Sequence, residues 1–143
     1  MNLFTLVIPG RPVAKARPRF FRREKFVGTY NCQETEEGRF LWECKAQLMK
    51  IGWITPIEQG IPVELVCRFY FPIPKAEKKI FQRALEGPVF HTKNTGDLSN
   101  CIKFIEDCFN DFIWHDDCQI VRISALKFYG VSPRTEISVG TME

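Results

Sequence analysis

The sequence predicts a single α/β domain, of α+β type, spanning residues 1–143: a mixed sheet of about four strands with two main helices packed on it. Three observations predict it. Val63, Leu65, Cys67, Phe69 and Phe71 alternate with Glu64, Arg68 and Tyr70, the period of a half-buried strand. Two segments, about 33–51 and 99–110, carry apolar residues at helical spacing. Runs of β-formers occupy 3–8, 117–129 and 135–139.

The bulk numbers bound the class. A chain of 143 residues fits one domain with a modest core. Its 45% hydrophobic and 26% charged residues exclude a disordered tail. No apolar run approaches the ~18 residues of a spanning helix. The stretch Met1 to Gly10 lacks the charged start and long apolar core of a secretion signal. These readings predict a cytoplasmic protein without a membrane partner. Of six cysteines, none forms a Cys-x-x-Cys pair. They read as mostly buried free thiols in a reducing compartment. A zinc set of Cys108, His115 and Cys118 matches no common ligand spacing.

Each element has its own signal. Leu3 to Ile8 is a strand that stops at Pro9-Gly10. Residues 11–23, RPVAKARPRFFRR, hold six cations and no acid. Pro12 and Pro18 disfavour helix there, so the segment reads as an exposed basic loop. In the first helix, Asn31 with Glu34 resembles a capping box, and Leu41, Cys44 and Leu48 form the apolar stripe. Gly52 marks its end. The strand over 62–73 closes at Pro74-Lys75, and residues 76–85 form a short basic helix broken by Gly87-Pro88. Gly130 to Pro133 turns the chain into a final short strand.

Residues 91–120, HTKNTGDLSNCIKFIEDCFNDFIWHDDCQI, carry the chemistry. Gly96 frees the backbone ahead of the second helix. Ser99 is a good N-cap type, and Asp97 sits beside the positive helix end. Ile102, Ile105 and Phe109 form a buried stripe, while Asn100, Lys103, Asp107 and Asn110 share a polar face. His115-Asp116-Asp117 then begins a strand, in which only one of the two aspartates can face a site built with Asp97. Carboxylates from a helix start and a strand start suit Mg²⁺ or Mn²⁺, which keep waters and add phosphate oxygens. Such an ion activates water and neutralises charge in phosphodiester cleavage. Lys103 would stabilise the same charge. A plainer reading fits the same spacing: Asp97 as a dipole partner, Lys103 and Asp107 as a surface pair worth ~0.3 kcal/mol, Asp116-Asp117 as a solvated turn. Composition and periodicity leave both readings open. His91 and His115 have no helical metal spacing and read as structural.

The stretch also resembles the RusA family of Holliday junction resolvases, including its phage and prophage members. The family pattern runs K-P-D-x-D-N-L-x-K, then D-x-L-N, then W-x-D-D-x-Q. Here Lys93 to Lys103 reads KNTGDLSNCIK, followed by Asp107 to Asn110 as DCFN and Trp114 to Ile120 as WHDDCQI. Ile8 to Arg19 and Phe71 to Lys75 resemble the family's opening and its proline-lysine step. The resemblance implies an Mg²⁺-dependent homodimer that makes paired nicks in four-way junction DNA during recombination and repair. It implies Asp97, Lys103 and Asp117 as catalytic residues, and Asp97, Asp117, Asp116 and Ser99 around the metal. Asn100 and Asp107 support them. Ser99 stands where the family has a second aspartate, and a hydroxyl is the weaker ligand. The alternative is therefore a catalytically weak or inactive branched-DNA binding protein.

For DNA contact the candidates are Arg11, Lys15, Arg17, Arg19, Arg22, Arg23 and Lys75, with Phe20 and Phe21 as stacking groups. Lys78 and Lys79 would extend the patch. An unrelated α/β interaction module with fortuitous acids is the third reading. Salt-insensitive or absent junction binding would identify it.

Overall fold

The strict alternation in β4 (Val63–Pro72) places it at the centre of the sheet, with Val63, Leu65, Cys67, Phe69 and Phe71 all buried on one side. The structure, a computed structural model, describes residues 1–143 except Arg17, Pro18, Asn31, Ile54 and Glu143, and except the side chains of Arg19, Phe20, Phe21, Thr29 and Tyr30. The remaining elements are β1 (Asn2–Pro9), β2 (Arg19–Arg23), β3 (Phe26–Tyr30), α1 (Glu34–Lys50), α2 (Lys78–Glu86), β5 (Val89–Phe90), α3 (Leu98–Phe109), β6 (Ile120–Gly130) and β7 (Arg134–Thr141). A 3-10 turn, Asp117–Gln119, leads into β6.

The main sheet has the order β1-β7-β4-β6-β5. β7 runs antiparallel to both β1 and β4, while β6 runs parallel to β4. The sheet is mixed, as expected, but has five strands rather than about four. The additional strand, β5, is two residues long, too short to give a periodic signal. β2 and β3 pair as a separate antiparallel hairpin. The basic segment therefore ends in a hairpin arm and is not wholly irregular.

Helices α1 and α3 cover the face of the sheet that carries the odd-numbered residues of β4. Phe40, Cys44 and Leu48 are the buried positions of α1, so the stripe begins one residue before Leu41, which is half-buried. In α3 the buried residues are Cys101, Phe104, Ile105, Cys108 and Phe109, with Ile102 at the margin. The broader stripe reflects contact with both sheet and α1. Phe40 packs edge-on against Phe104 at 5.3 Å between ring centres and tilted against Phe109 at 5.7 Å. Each such buried aromatic stabilises the fold by roughly 1.5–3 kcal/mol.

Asn31, the expected partner of Glu34 in a capping box at α1, lies outside the described residues; Gln33 is the N-cap, without a side-chain cap bond. The Gln33 amide instead donates to the Ala14 oxygen and accepts from the Ala16 N–H, both at 2.8 Å. Residues 12–16 lie on no strand, and this side chain satisfies two of their backbone groups.

The opposite face of the sheet bears an aromatic row. Arg134 of β7 stacks on Tyr70 of β4 at 3.8 Å, Tyr70 stacks on Phe128 of β6 at 5.2 Å, and Phe128 stacks on Phe90 of β5 at 5.3 Å. The short β5 is thus held to the edge of the sheet by ring contacts as well as by pairing.

Candidate functional site

Two segments meet at the N-terminal end of α3. One is the basic strap, residues 11–16. Its Arg11 guanidinium donates to the Thr95 oxygen at 3.2 Å, and the Lys15 N–H donates to the Asn100 oxygen at 2.9 Å. The other is the loop 93–97, which delivers Asp97.

The loop is built by three contacts. Lys127, half-buried on β6, donates from Nζ to the oxygens of Lys93 and Gly96, both at 3.1 Å. Gly96 adopts φ +151° with Phe71 beneath it, so the expected backbone freedom at this position is required. His91, which follows β5, is buried with its ring stacked on Phe71 at 4.5 Å and tilted against Tyr129 at 4.6 Å. Lys127 was not singled out in the sequence; a lysine at a strand position facing the helices is the signal that marks it.

Asp97 is the N-cap of α3, which starts at Leu98. Ser99 is therefore an exposed first-turn residue and not the cap expected from its type. Asp97 is exposed and makes no side-chain cap bond. Helical geometry then puts Ser99, Lys103 and Glu106 on one face, with Asn100 and Asp107 on its flank. Lys103 stands at the middle of this exposed surface.

The flank is already engaged. Lys15 Nζ lies 3.3 Å from Asp107 and 3.5 Å from Glu37. Burial pulls the Lys15 ammonium down, but Asp107 and Glu37 outweigh it and its pKa is raised. Lys15 and Asp107 thus clamp the strap to α3.

The other side of the face meets the 3-10 turn. Burial first, then the negative charge of Asp117, pushes the Glu106 carboxyl up, with Lys103 acting in the opposite sense. Lys103, Glu106 and Asp117 therefore share one local field. Glu106 was not identified as a candidate, although its spacing of three from Lys103 and seven from Ser99 puts it on the same face. About nine residues of helix, roughly 13 Å of rise, separate the levels of Asp97 and Glu106.

Asp116 and Asp117 do not lie on a strand, so strand alternation does not distribute them. Asp116 is the N-cap of the 3-10 turn. Its carboxylate accepts from the Cys118 N–H at 3.3 Å, and bonds from Cys118 hold it below the usual carboxylate range. Asp117 is half-buried as the turn's first residue. Gln119 completes a capping box, accepting from the N–H groups of His115 and Asp116 and donating to the oxygens of Glu58 and Ile61. Trp114 is fully buried and donates to Asn110 at 2.8 Å. Asn110, Trp114 and Gln119 thus act as the frame that carries Asp116 and Asp117.

Among the described residues no three His, Cys, Asp or Glu side chains converge as a ready-made ion cage. The zinc set does not form: Cys108 is buried in α3, while His115 and Cys118 are exposed. Burial pushes the Cys67 and Cys108 thiols up to about 12 and the Cys101 thiol up to about 11, which makes them packing groups. The oxygen donors present suit a hard ion. Mg²⁺ binds through one or two carboxylates and completes its shell with water and substrate phosphate, so it needs no cage.

Of the DNA-contact candidates, Arg11, Arg22, Arg23 and Lys75 are exposed. Arg17 lies outside the described residues, as do the side chains of Arg19, Phe20 and Phe21; the backbone of Arg19 opens β2. Among the described residues no helix is long and apolar enough to cross a membrane.

A strap bearing Arg11 and Lys15 thus lies against the loop that delivers Asp97, with Lys103 on the adjoining helix face. A family model described as "Endodeoxyribonuclease RusA" matches residues 9–140, and the chain belongs to that family. The family is one of endodeoxyribonucleases that act on Holliday junction DNA. The chain is also 28% identical over 142 residues to the "Uncharacterized protein YqaN" of Bacillus subtilis (strain 168), covering 97% of this chain and 96% of that one.

Proposed function

We propose that the protein is an Mg²⁺-dependent endonuclease, with Mn²⁺ able to substitute, that resolves four-way DNA junctions by paired symmetric nicks in recombination and repair. The supporting observation is Asp97, whose carboxylate stands exposed and without a cap bond between the basic strap and the Lys103 face. In this reading Asp97 and Asp117 supply metal-binding carboxylates from opposite ends of the Lys103 face, completed by water and substrate phosphate, with Asp116 and Ser99 as neighbouring oxygen groups. The ion, when bound, neutralises phosphate charge and lowers the pKa of a bound water. Lys103 stabilises charge developing on the cleaved phosphate. Arg11, Arg22, Arg23 and Lys75 bind the backbone without reading sequence. The junction has two-fold symmetry, and a C₂ homodimer would present one site to each of two opposed strands.

The test is cleavage of a synthetic four-way junction in Mg²⁺ or Mn²⁺. Wild-type protein yields paired nicks; Asp97→Asn and Asp117→Asn bind the junction without cutting it. Undiminished cutting by both variants would remove this mechanism. A second reading, a branched-DNA binding protein with little or no nuclease activity, is supported by Ser99 at the position of the family's second aspartate. Under it the wild type binds without nicking, and Ser99→Asp gains activity.

A further inference from the structure

Beside the Asp97 loop lies a second feature, of which the reading above uses only Arg11. A cavity of about 380 Å³ opens where the strap, the loop and the end of β4 meet; Arg11, His91, Lys93, Asn94 and Thr95 line it, over a floor of Phe71 and Tyr129. Among the described residues no acidic side chain lines it. His91 is only 6% exposed, and its Nδ1 is buried with no hydrogen-bond partner among the described residues. Its Nε2 has one long contact, 3.4 Å to the Thr95 hydroxyl. A buried polar atom without a partner calls for a missing group. The charges around the ring come from three different elements and have one sign: Arg11 from the strap, Lys93 from the loop and Lys127 from β6. Three cations around a neutral ring, with a hydroxyl and no carboxylate, form an environment that lacks an anion.

We propose that this cavity is a phosphate-binding site, taking a backbone phosphate of the DNA strand that passes next to Asp97. The identity of the DNA strand rests on the function proposed above; the phosphate chemistry does not. Thr95 and Asn94 belong to the loop that delivers Asp97. A phosphate seated here would therefore fix the register of the strand whose neighbouring phosphate is cut.

The chain has two histidines, which makes the test direct. His91 lines the cavity, and exposed His115 serves as the internal control. Ring resonances of both are followed by NMR against pH, in inorganic phosphate and in chloride at equal ionic strength. An anion beside the ring favours its charged form, so His91 titrates higher in phosphate by roughly half a unit or more, while His115 does not move. At fixed pH the Thr95 amide resonance shifts with phosphate and saturates. Arg11→Gln and Lys93→Gln weaken both responses severalfold. Identical behaviour of His91 and Thr95 in the two salts, or an equal shift at His115, overturns the site. A four-way junction in chloride buffer separates the sources. The same shifts at His91 and Thr95 support the DNA phosphate, while shifts with free phosphate alone overturn the DNA assignment. Failure of the protein to bind any junction would count against the proposed function and leave the free-phosphate arm readable.

Discussion

A Cβ placed on Gly96 would stand 2.7 Å from Cε1 and Cζ of the Phe71 ring. Phe71 cannot retreat: it is buried in the sheet, and His91 stacks on it. Gly96 is one residue from Asp97, so the packing of this ring fixes where the carboxylate is delivered. Gly96→Ala is expected to destabilise the protein by roughly 1–3 kcal/mol, through overpacking and a backbone conformation that L side chains rarely adopt. Urea unfolding measures it. A midpoint equal to wild type would show that the loop does not depend on this contact.

His91 makes stability depend on pH. Burial first, then the cations Lys127, Arg11 and Lys93, lowers its pKa from the ordinary 6.5. A depressed histidine is neutral in the fold and more readily protonated when unfolded. Its contribution is thus fully present above the unfolded pKa and is lost as pH falls through that value toward the folded one. His91→Phe keeps a stacking ring and removes the titration. Wild type should lose Tm relative to this variant between about pH 7 and pH 5. Parallel melting curves across that range would refute the linkage.

The sequence exposed what has a period. β4 and the two main helices announce themselves through repeats of two and three-to-four residues, so their positions are legible from the residues alone. β5 is two residues long and depends on the Phe90–Phe128 stack and on pairing with β6, which are contacts across 38 positions of chain. No local pattern encodes them. The hairpin β2–β3 was hidden for a different reason: RFFRR has no alternation to read, and its backbone pairs with residues 26–30 across a turn. At the site, Asp97, Lys103 and Asp117 are candidates from residue type and from resemblance. Lys127 and Glu106 are not. Lys127 acts through carbonyl oxygens of a loop 31 and 34 residues away in sequence, and Glu106 acquires its environment only when the 3-10 turn docks on α3.

The environment of Glu106 gives a prediction with a definite sign. Its carboxyl is pushed up by burial and then by Asp117, with Asp107 adding and Lys103 opposing. A raised carboxylate favours the protonated fold: the stabilisation is fully present below the unfolded pKa and is lost as pH rises through the folded one. At neutral pH Glu106 therefore costs stability. Glu106→Gln should melt higher than wild type at pH 7, and the gap should close on acidification below the ordinary carboxylate range near pH 4.5. Asp117→Asn should lower the Glu106 pKa, measured by carbon-13 NMR of the carboxyl. A Glu106 titration indifferent to Asp117→Asn would separate the two residues.

The cations of the strap and hairpin are not equivalent, and salt dependence can tell them apart. Arg22 and Arg23 are exposed beside the hairpin turn, whereas Lys15 is bound to Asp107 at 3.3 Å and Glu37 at 3.5 Å. A phosphate contact releases counterions; a lysine already paired with two carboxylates releases few. Arg22→Gln and Arg23→Gln should each reduce the slope of log binding constant against log salt by about 1 on junction DNA. Lys15→Gln should change that slope by much less. Its effect should appear instead in stability, because the clamp between strap and α3 is lost; Asp107→Asn should do the same, and the double variant should add little to either single one. A full unit lost from the slope in Lys15→Gln would mean that the ammonium leaves Asp107 for the DNA, and that the strap is held by its backbone bonds alone.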